Sequence, residues 1–158
     1  MRPLSTGRAL LYGTLAVGIL DGLDAVLFFG LRGAGARPLV IFQAIASGLL
    51  GRSAFAGGWT TGAIGVMLHF VIAFVIVLVF MLVSKRLAVL RRAPILAGLL
   101  YGIAVYLVMS RIVVPLSAAA GGGSPPWPVL VNGVLIHMFG VGLPASLAAR
   151  AANRHLPD

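Results

Sequence analysis

Five ionisable residues lie inside the apolar segments of this chain: Asp21, Asp24, His69, Arg111 and His137. Asp21 and Asp24 are three residues apart, so a helix would place both carboxylates on one face. A charged side chain in hydrocarbon costs about 3 kcal/mol or more, and we therefore expect these groups to face other helices or a wet cavity. Carboxylates, imidazoles and a guanidinium at such depth are typical of proton or ion pathways.

Two other kinds of chemistry use the same histidines. His69 and His137 could provide the axial ligands of a b-type haem, with Gly65 and Gly133 one turn away leaving room for a porphyrin. A network of this kind can also be purely structural and hold the helices in register. These alternatives stay open on the sequence alone.

Enzyme motifs are missing. The chain has no HExxH pattern for a metal and no Gly-x-Ser-x-Gly nucleophile elbow. It also contains no cysteine, which excludes disulfides and thiol catalysis. We therefore predict no catalytic residue, no metal site and a protein that is not an enzyme.

Composition indicates a membrane protein. Of the 158 residues 60% are hydrophobic and only 9% are charged, and the mean hydropathy is +1.08. A soluble domain of this size could not bury so much apolar surface. The net charge of +9 comes from residues that flank apolar segments, without aromatic neighbours that would form a nucleic-acid platform, so nucleic-acid binding is excluded.

Four segments are predicted to span the bilayer, at about residues 9–30, 62–84, 93–115 and 127–149. Residues 39–50 form a further apolar run, but twelve helical residues cover only about 18 Å of a hydrocarbon core of about 30 Å. We expect a short interfacial or re-entrant helix at about 38–51. The predicted fold is an all-α, integral membrane four-helix bundle that forms one transmembrane domain over residues 1–158.

The positive charges predict the orientation. Arginines 32, 37 and 52 fall on one side of these four spans, whereas eight of the twelve basic residues fall on the other: Arg2, Arg8, Lys85, Arg86, Arg91, Arg92, Arg150 and Arg154. The positive-inside rule then places both termini in the cytoplasm.

An internal repeat is also visible. Residues 10–13 (LLYG) recur at 99–102, and the pattern GVxxH occurs at both 65–69 and 133–137. The repeat predicts two tandem helical hairpins in parallel orientation. Six glycines at small-residue spacings are predicted to allow close helix packing: Gly18, Gly22, Gly65, Gly98, Gly102 and Gly133.

Several short stretches carry a resemblance to a known group of proteins. Residues 45–51 (IASGLLG), 57–58 (GG), 68–70 (LHF) and 114–117 (VPLS) are similar to an uncharacterised family of small bacterial four-span inner-membrane proteins. The chain also resembles YagU-like membrane proteins, which place histidines in their spans. This resemblance implies a bacterial inner-membrane location and no reaction or ligand.

The sequence therefore favours a non-enzymatic inner-membrane protein, a small subunit or packing partner with a buried Asp/Arg/His cluster. Its expected partners are the lipid bilayer and either a larger membrane complex or copies of itself. The first alternative is a component of a proton- or ion-coupled transporter or channel. The second is a haem b subunit ligated by His69 and His137; no cofactor is predicted otherwise.

Overall fold

A computed structural model describes residues 4–31, 37–119 and 125–153, which are almost entirely helical and contain no strand. The predicted all-α fold is thereby confirmed. The helices are α1 (Thr6–Leu31), α2 (Pro38–Leu50), α3 (Gly58–Arg86), α4 (Ala88–Arg92), α5 (Pro94–Leu116) and α6 (Trp127–Asn153), with a 3₁₀ turn at Gly51–Ala56 between α2 and α3. Arg2, Arg32 and Arg154, which enter the charge count, lie outside the described residues.

Five segments are long and apolar enough to cross a membrane by length and composition. They comprise the four predicted spans and the stretch Pro38–Ala56. Three of the four spans are a few residues longer than predicted, whereas Pro94–Leu116 has the predicted length. Many large apolar side chains point outward, including Leu11, Leu23 and Leu100, each more than half exposed. These features are compatible with a multi-pass integral membrane protein.

Small residues fill the interior of the bundle. The buried core includes Ala73, Ala97, Ala145 and Ala149, while most of the leucines lie on the outside. In lipid, helices gain little from burying leucine but gain van der Waals contact by close approach. The small-residue stripes of α1, α3 and α6 therefore face one another.

Contacts between the helices define their directions. Gly13 of α1 lies against Val77 of α3 and Ala148 of α6, and Asn153 of α6 donates to Ser84 Oγ of α3 at 3.0 Å. The start of α1, the whole of α4 and the end of α6 therefore meet at one end, which we call the basic end because Arg8, Lys85, Arg86, Arg91, Arg92 and Arg150 lie there. The other end, with the start of α6, is called the opposite end.

Two backbones touch where α5 crosses α6. A Cβ atom added to Gly102 would overlap the carbonyl oxygen of His137, and one added to Gly142 would overlap the carbonyl oxygen of Gly98. Between α2 and α3, a Cβ atom on Gly65 would overlap the carbonyl of Phe42 in the same way. Glycine is required at these positions because no side chain fits between the helices.

Two helices contain a widened π segment. These segments are Met109–Val113 in α5 and His137–Gly142 in α6, and each ends two residues before a proline, Pro115 or Pro144. A proline ring clashes with the carbonyl four residues earlier and offers no N–H. In both helices that carbonyl lies in the π segment, whose wider turn accommodates the ring. Pro144 is thus accommodated by the π segment that precedes it.

The stretch Pro38–Ala56 is not straight. Gly51 has φ 60° and ψ −152°, which ends α2 and reverses the chain. Gln43 Nε2 donates to Gly58 O at 3.0 Å and to Thr61 Oγ1 at 3.2 Å, while Thr61 Oγ1 donates to Ala54 O at 2.6 Å. A straight helix would separate residues 43 and 54 by about 16 Å. The stretch therefore folds back, and both arms reach the first turn of α3.

Replacing Gly102 by alanine should destabilise the bundle by about 1–3 kcal/mol, because the added methyl group would force α5 and α6 apart. The matched control is Gly7→Ala in the first turn of α1, where a Cβ atom meets nothing within 4 Å. That control should be neutral or stabilising by up to about 1 kcal/mol. Unfolding in mixed micelles checks this, and equal stability of the two variants would contradict the proposed backbone contact.

Candidate functional site

His69 lies on the buried stripe of α3, and its ring is tied to α1. Its Nε2 atom is 2.8 Å from the carbonyl oxygen of Gly18. A carbonyl can only accept, so Nε2 carries the hydrogen and donates it. Gly22, one turn further along α1, makes room for the ring, because a Cβ atom there would lie 3.3 Å from Nε2. The predicted glycine pair of α1, Gly18 and Gly22, therefore binds the imidazole ring and leaves room for it.

The other ring nitrogen of His69 faces a carboxylate. Nδ1 is 4.0 Å from Asp21 Oδ2, and the imidazole ring is held edge-on by Phe42 and Phe70, at ring-centroid distances of 6.2 and 5.6 Å. Since Nε2 already holds a hydrogen, a neutral ring presents a lone pair to Asp21. The pair attracts only when one further proton resides on either group. At 4.0 Å the two atoms are within ion-pair range but too far apart for a direct hydrogen bond.

Asp24 lies one turn nearer the opposite end and has a different partner. Asn132 of α6 donates from Nδ2 to Asp24 Oδ2 at 2.6 Å. Both side chains line an open cleft of about 650 Å³ between α1 and α6, whose mouth carries the exposed indole of Trp127. Seven residues separate Asp24 from the end of α1, a depth of about 10 Å. The cleft therefore connects the carboxylate to the opposite end of the bundle.

His137 opens the π segment of α6 and is half-buried. Its Nδ1 is 2.8 Å from the carbonyl of Gly133, one turn earlier, so Nδ1 carries the hydrogen. The ring of Tyr106 packs edge-on against the imidazole at a centroid distance of 5.4 Å. His137 and Asp21 both lie within electrostatic reach of Asp24. His137 thus belongs to the outer part of the same cluster.

Arg111 is placed apart from the other four residues. It lies in the π segment of α5, its side chain is exposed, and it forms no hydrogen bond or ion pair with any residue that the structure describes. The inward stripe of α5 runs through Gly98, Gly102 and Val105, and Arg111 is off that stripe. The structure therefore brings together Asp21, Asp24, His69 and His137 without a guanidinium, and we use the name polar cluster for these four residues and Asn132.

Both histidines are engaged in ways that bear on haem binding. Axial ligation needs a free ring nitrogen from each residue. His69 would have to give up the bond to Gly18 or the approach to Asp21, and Gly22 leaves no gap beside its ring. Within the described ranges, no three His, Asp or Glu side chains converge as a metal site. Haem ligation by His69 and His137 stays a sequence prediction.

All six glycines singled out for helix packing contact a neighbouring helix. An added Cβ atom would meet, respectively, Phe70 at Gly18, His69 at Gly22, Phe42 at Gly65, Ser146 at Gly98, His137 at Gly102 and Tyr106 at Gly133. The two histidines of the GVxxH pattern are nevertheless held differently, one by another helix and one by its own. The tandem repeat stays a sequence prediction.

Sequence reasoning missed two features of the site. One is the Gly18 carbonyl as the acceptor for His69 Nε2, because no sequence pattern indicates which backbone carbonyl accepts a side-chain hydrogen bond. The other is Thr14, one turn beyond Gly18 toward the basic end, whose buried hydroxyl has no hydrogen-bond partner among residues 4–31, 37–119 and 125–153. Its four-residue spacing to Gly18 on the small-residue stripe of α1 was the available signal.

Comparison of the chain with protein-family models, with curated proteins and with solved structures gives no match. The resemblance to a family of small bacterial inner-membrane proteins therefore rests only on the short stretches quoted above, and the YagU-like resemblance only on the histidines in the spans. Any function has to be argued from the polar cluster itself.

The two histidines should show opposite neutral tautomers, with the hydrogen on Nε2 in His69 and on Nδ1 in His137, because each of these atoms faces a carbonyl. Nitrogen-15 NMR of histidine-labelled protein checks this at pH about 9, well above the ordinary histidine pKa of about 6.5. His69→Gln and His137→Gln assign the signals. The same tautomer at both positions would show that one of these bonds is absent.

Proposed function

We propose that α1, α3, α5 and α6 span a bacterial cytoplasmic membrane, with both termini inside, and that α2 does not span. Supporting this, α2 is broken at Gly51, and Gln43 and Ala54 both reach the first turn of α3. The concentration of arginine and lysine at the basic end agrees with a cytoplasmic position. The polar cluster then lies toward the periplasm.

Single-cysteine labelling tests this topology, since the chain has no cysteine of its own. Arg37→Cys and Ser53→Cys stand on either side of α2, and both should react with a membrane-impermeant maleimide in intact cells. Val89→Cys in α4, which is 64% exposed, should react only after lysis. If residues 37 and 53 label from different faces, α2 crosses the membrane and the proposal is wrong.

For the polar cluster, we propose a proton-binding site in a component of a proton-coupled membrane transport process. The single observation that carries this proposal is the pair formed by His69 Nδ1 and Asp21 Oδ2 at 4.0 Å. The hydrogen bond from Nε2 to the Gly18 carbonyl fixes the ring so that the lone pair of Nδ1 faces the Asp21 carboxylate. In this proposal, the two groups attract each other when either the imidazole or the carboxyl group binds a proton. Imidazole and carboxylate exchange such a proton readily.

We propose that protons reach this pair from one side, although the cleft itself is lined by Asp24 and Asn132 and not by Asp21 or His69. The cleft at Asp24 and Asn132 leads toward the opposite end, while the core beyond His69 toward the basic end is largely apolar, with Val77, Phe80 and Met81 fully buried. A proton can therefore arrive from the cleft through Asp24. Release to the other side requires a rearrangement of the helices, which is the behaviour of a transporter and not of an open pore.

Asp21→Asn and Asp24→Asn should each lower proton uptake by proteoliposomes at least about tenfold, because an amide cannot accept the proton that the carboxylate exchanges. A pH-sensitive dye inside the vesicles measures uptake under an imposed membrane potential. The matched control is Asp158→Asn, which changes the one other acidic residue of the sequence and should leave uptake unchanged.

Arg111→Gln provides a second control, because Arg111 is exposed and apart from the polar cluster. The Arg111→Gln variant should keep the wild-type rate of proton uptake if Asp21, Asp24, His69 and His137 are sufficient for proton transport. If the Asp21→Asn and Asp24→Asn variants are both produced at normal yield and take up protons as fast as the wild type, the transport proposal is wrong.

One observation favours the second candidate, a small subunit or packing partner. Asp24 opens to a cleft on the side of the bundle, and a helix of a partner protein lying over Trp127 and Leu135 would shield it from lipid. In that case the Asp24→Asn variant loses a co-purifying protein or oligomer in mild detergent and shows no change in uptake. The two candidates therefore separate on the same variant.

A further inference from the structure

An apolar groove runs between α3 and α5 near the basic end, far from the polar cluster. Phe80 and Val83 of α3, Leu90 of α4 and Leu100, Tyr101 and Ala104 of α5 line it, and its volume is about 280 Å³. That volume equals roughly nine water molecules at about 30 Å³ each. It suits one stretch of hydrocarbon chain and is too small for a folded partner.

The described residues that line this groove present no free hydrogen-bonding group to it. The hydroxyl of Tyr101, its most polar lining group, donates to the carbonyl of Ile76 at 2.8 Å and is thereby satisfied. Phe80 packs edge-on against the Tyr101 ring at a centroid distance of 4.9 Å, which closes the groove at that level. The groove is thus a slot for an apolar chain that enters from the basic end or from the side.

Basic side chains stand where the groove meets that end. Arg86 follows Val83 by three residues and so lies on the groove face of α3, one turn nearer the end. Arg92 ends α4, two residues before α5 begins at Pro94. Both arginines are exposed, and Lys85 beside them is exposed as well.

No acidic group neutralises these charges within the described ranges. Asp21 and Asp24 are the acidic residues found there, and both lie in the polar cluster toward the opposite end. A guanidinium group binds phosphate oxygens through paired N–H donors, so each of these exposed arginines can take part in binding a lipid phosphate. Each basic residue near an anionic lipid surface also adds attraction.

We propose that the groove and the two arginines form a binding site for an anionic phospholipid. One acyl chain would lie in the groove between α3 and α5, with the phosphate at Arg86 and Arg92. Leu87 and Val89, which are 49% and 64% exposed, would then rest among the upper acyl chains of the same leaflet. This proposal requires membrane embedding and does not depend on the role of the polar cluster.

Native mass spectrometry of the full chain, released from micelles supplemented with phosphatidylglycerol or phosphatidylcholine, tests it. The wild-type protein should retain one phosphatidylglycerol and little phosphatidylcholine. The double variant Arg86→Gln/Arg92→Gln should retain phosphatidylglycerol at least about tenfold less. The control Arg37→Gln/Arg52→Gln removes the same charge at the opposite end and should retain it as the wild type does.

A second pair of variants tests the groove with all charges intact. Ala104→Trp fills the slot and should reduce lipid retention, whereas Ala63→Trp, on an exposed position of α3, should not. If the Ala104→Trp variant does not fold, as judged by gel filtration, the smaller substitution Ala104→Leu is used in its place. Equal retention of both lipids, or full retention by both the groove and arginine variants, would overturn the proposal. Displacement of the lipid by inorganic phosphate alone would show a phosphate site without an acyl chain.

Discussion

The hydrogen bond from His69 Nε2 to the carbonyl of Gly18 governs the arrangement of the polar cluster. A buried N–H without an acceptor would be costly in a medium without water, so this bond ties α3 to α1 at a defined height. It also orients the ring, and the orientation leaves Nδ1 facing Asp21. The close approach that the bond requires exists because Gly18 and Gly22 carry no side chain.

The two half-buried carboxylates of α1 have different partners. Asp24 accepts a bond from Asn132 and opens to the cleft, where solvent or a partner can reach it. Asp21 lies with Oδ2 4.0 Å from Nδ1 of His69, within ion-pair range. A structural role and the proposed proton-binding role therefore involve the same two side chains.

Charge is strongly segregated along the bundle. The acidic groups lie toward the opposite end, within the helices, whereas the described lysine and arginine side chains other than Arg37, Arg52 and Arg111 cluster at the basic end. Between them the core consists mainly of alanine, valine and backbone contacts. Small-residue packing of this kind lets helices touch along their backbones while α3 and α5 diverge and leave a groove.

Hydropathy and glycine spacing alone determined the all-α fold, the long apolar helices and the six close-packing glycines, because both patterns act locally along a helix. A cluster of Asp21, Asp24, His69, Arg111 and His137 was expected because all five lie inside apolar segments. Tertiary structure decided the rest: depth does not specify rotation about a helix axis, so the exclusion of Arg111 followed only from the packed face of α5. Only the fold could show which ring nitrogen meets a carbonyl and which meets a carboxylate, because that choice depends on two helices in contact.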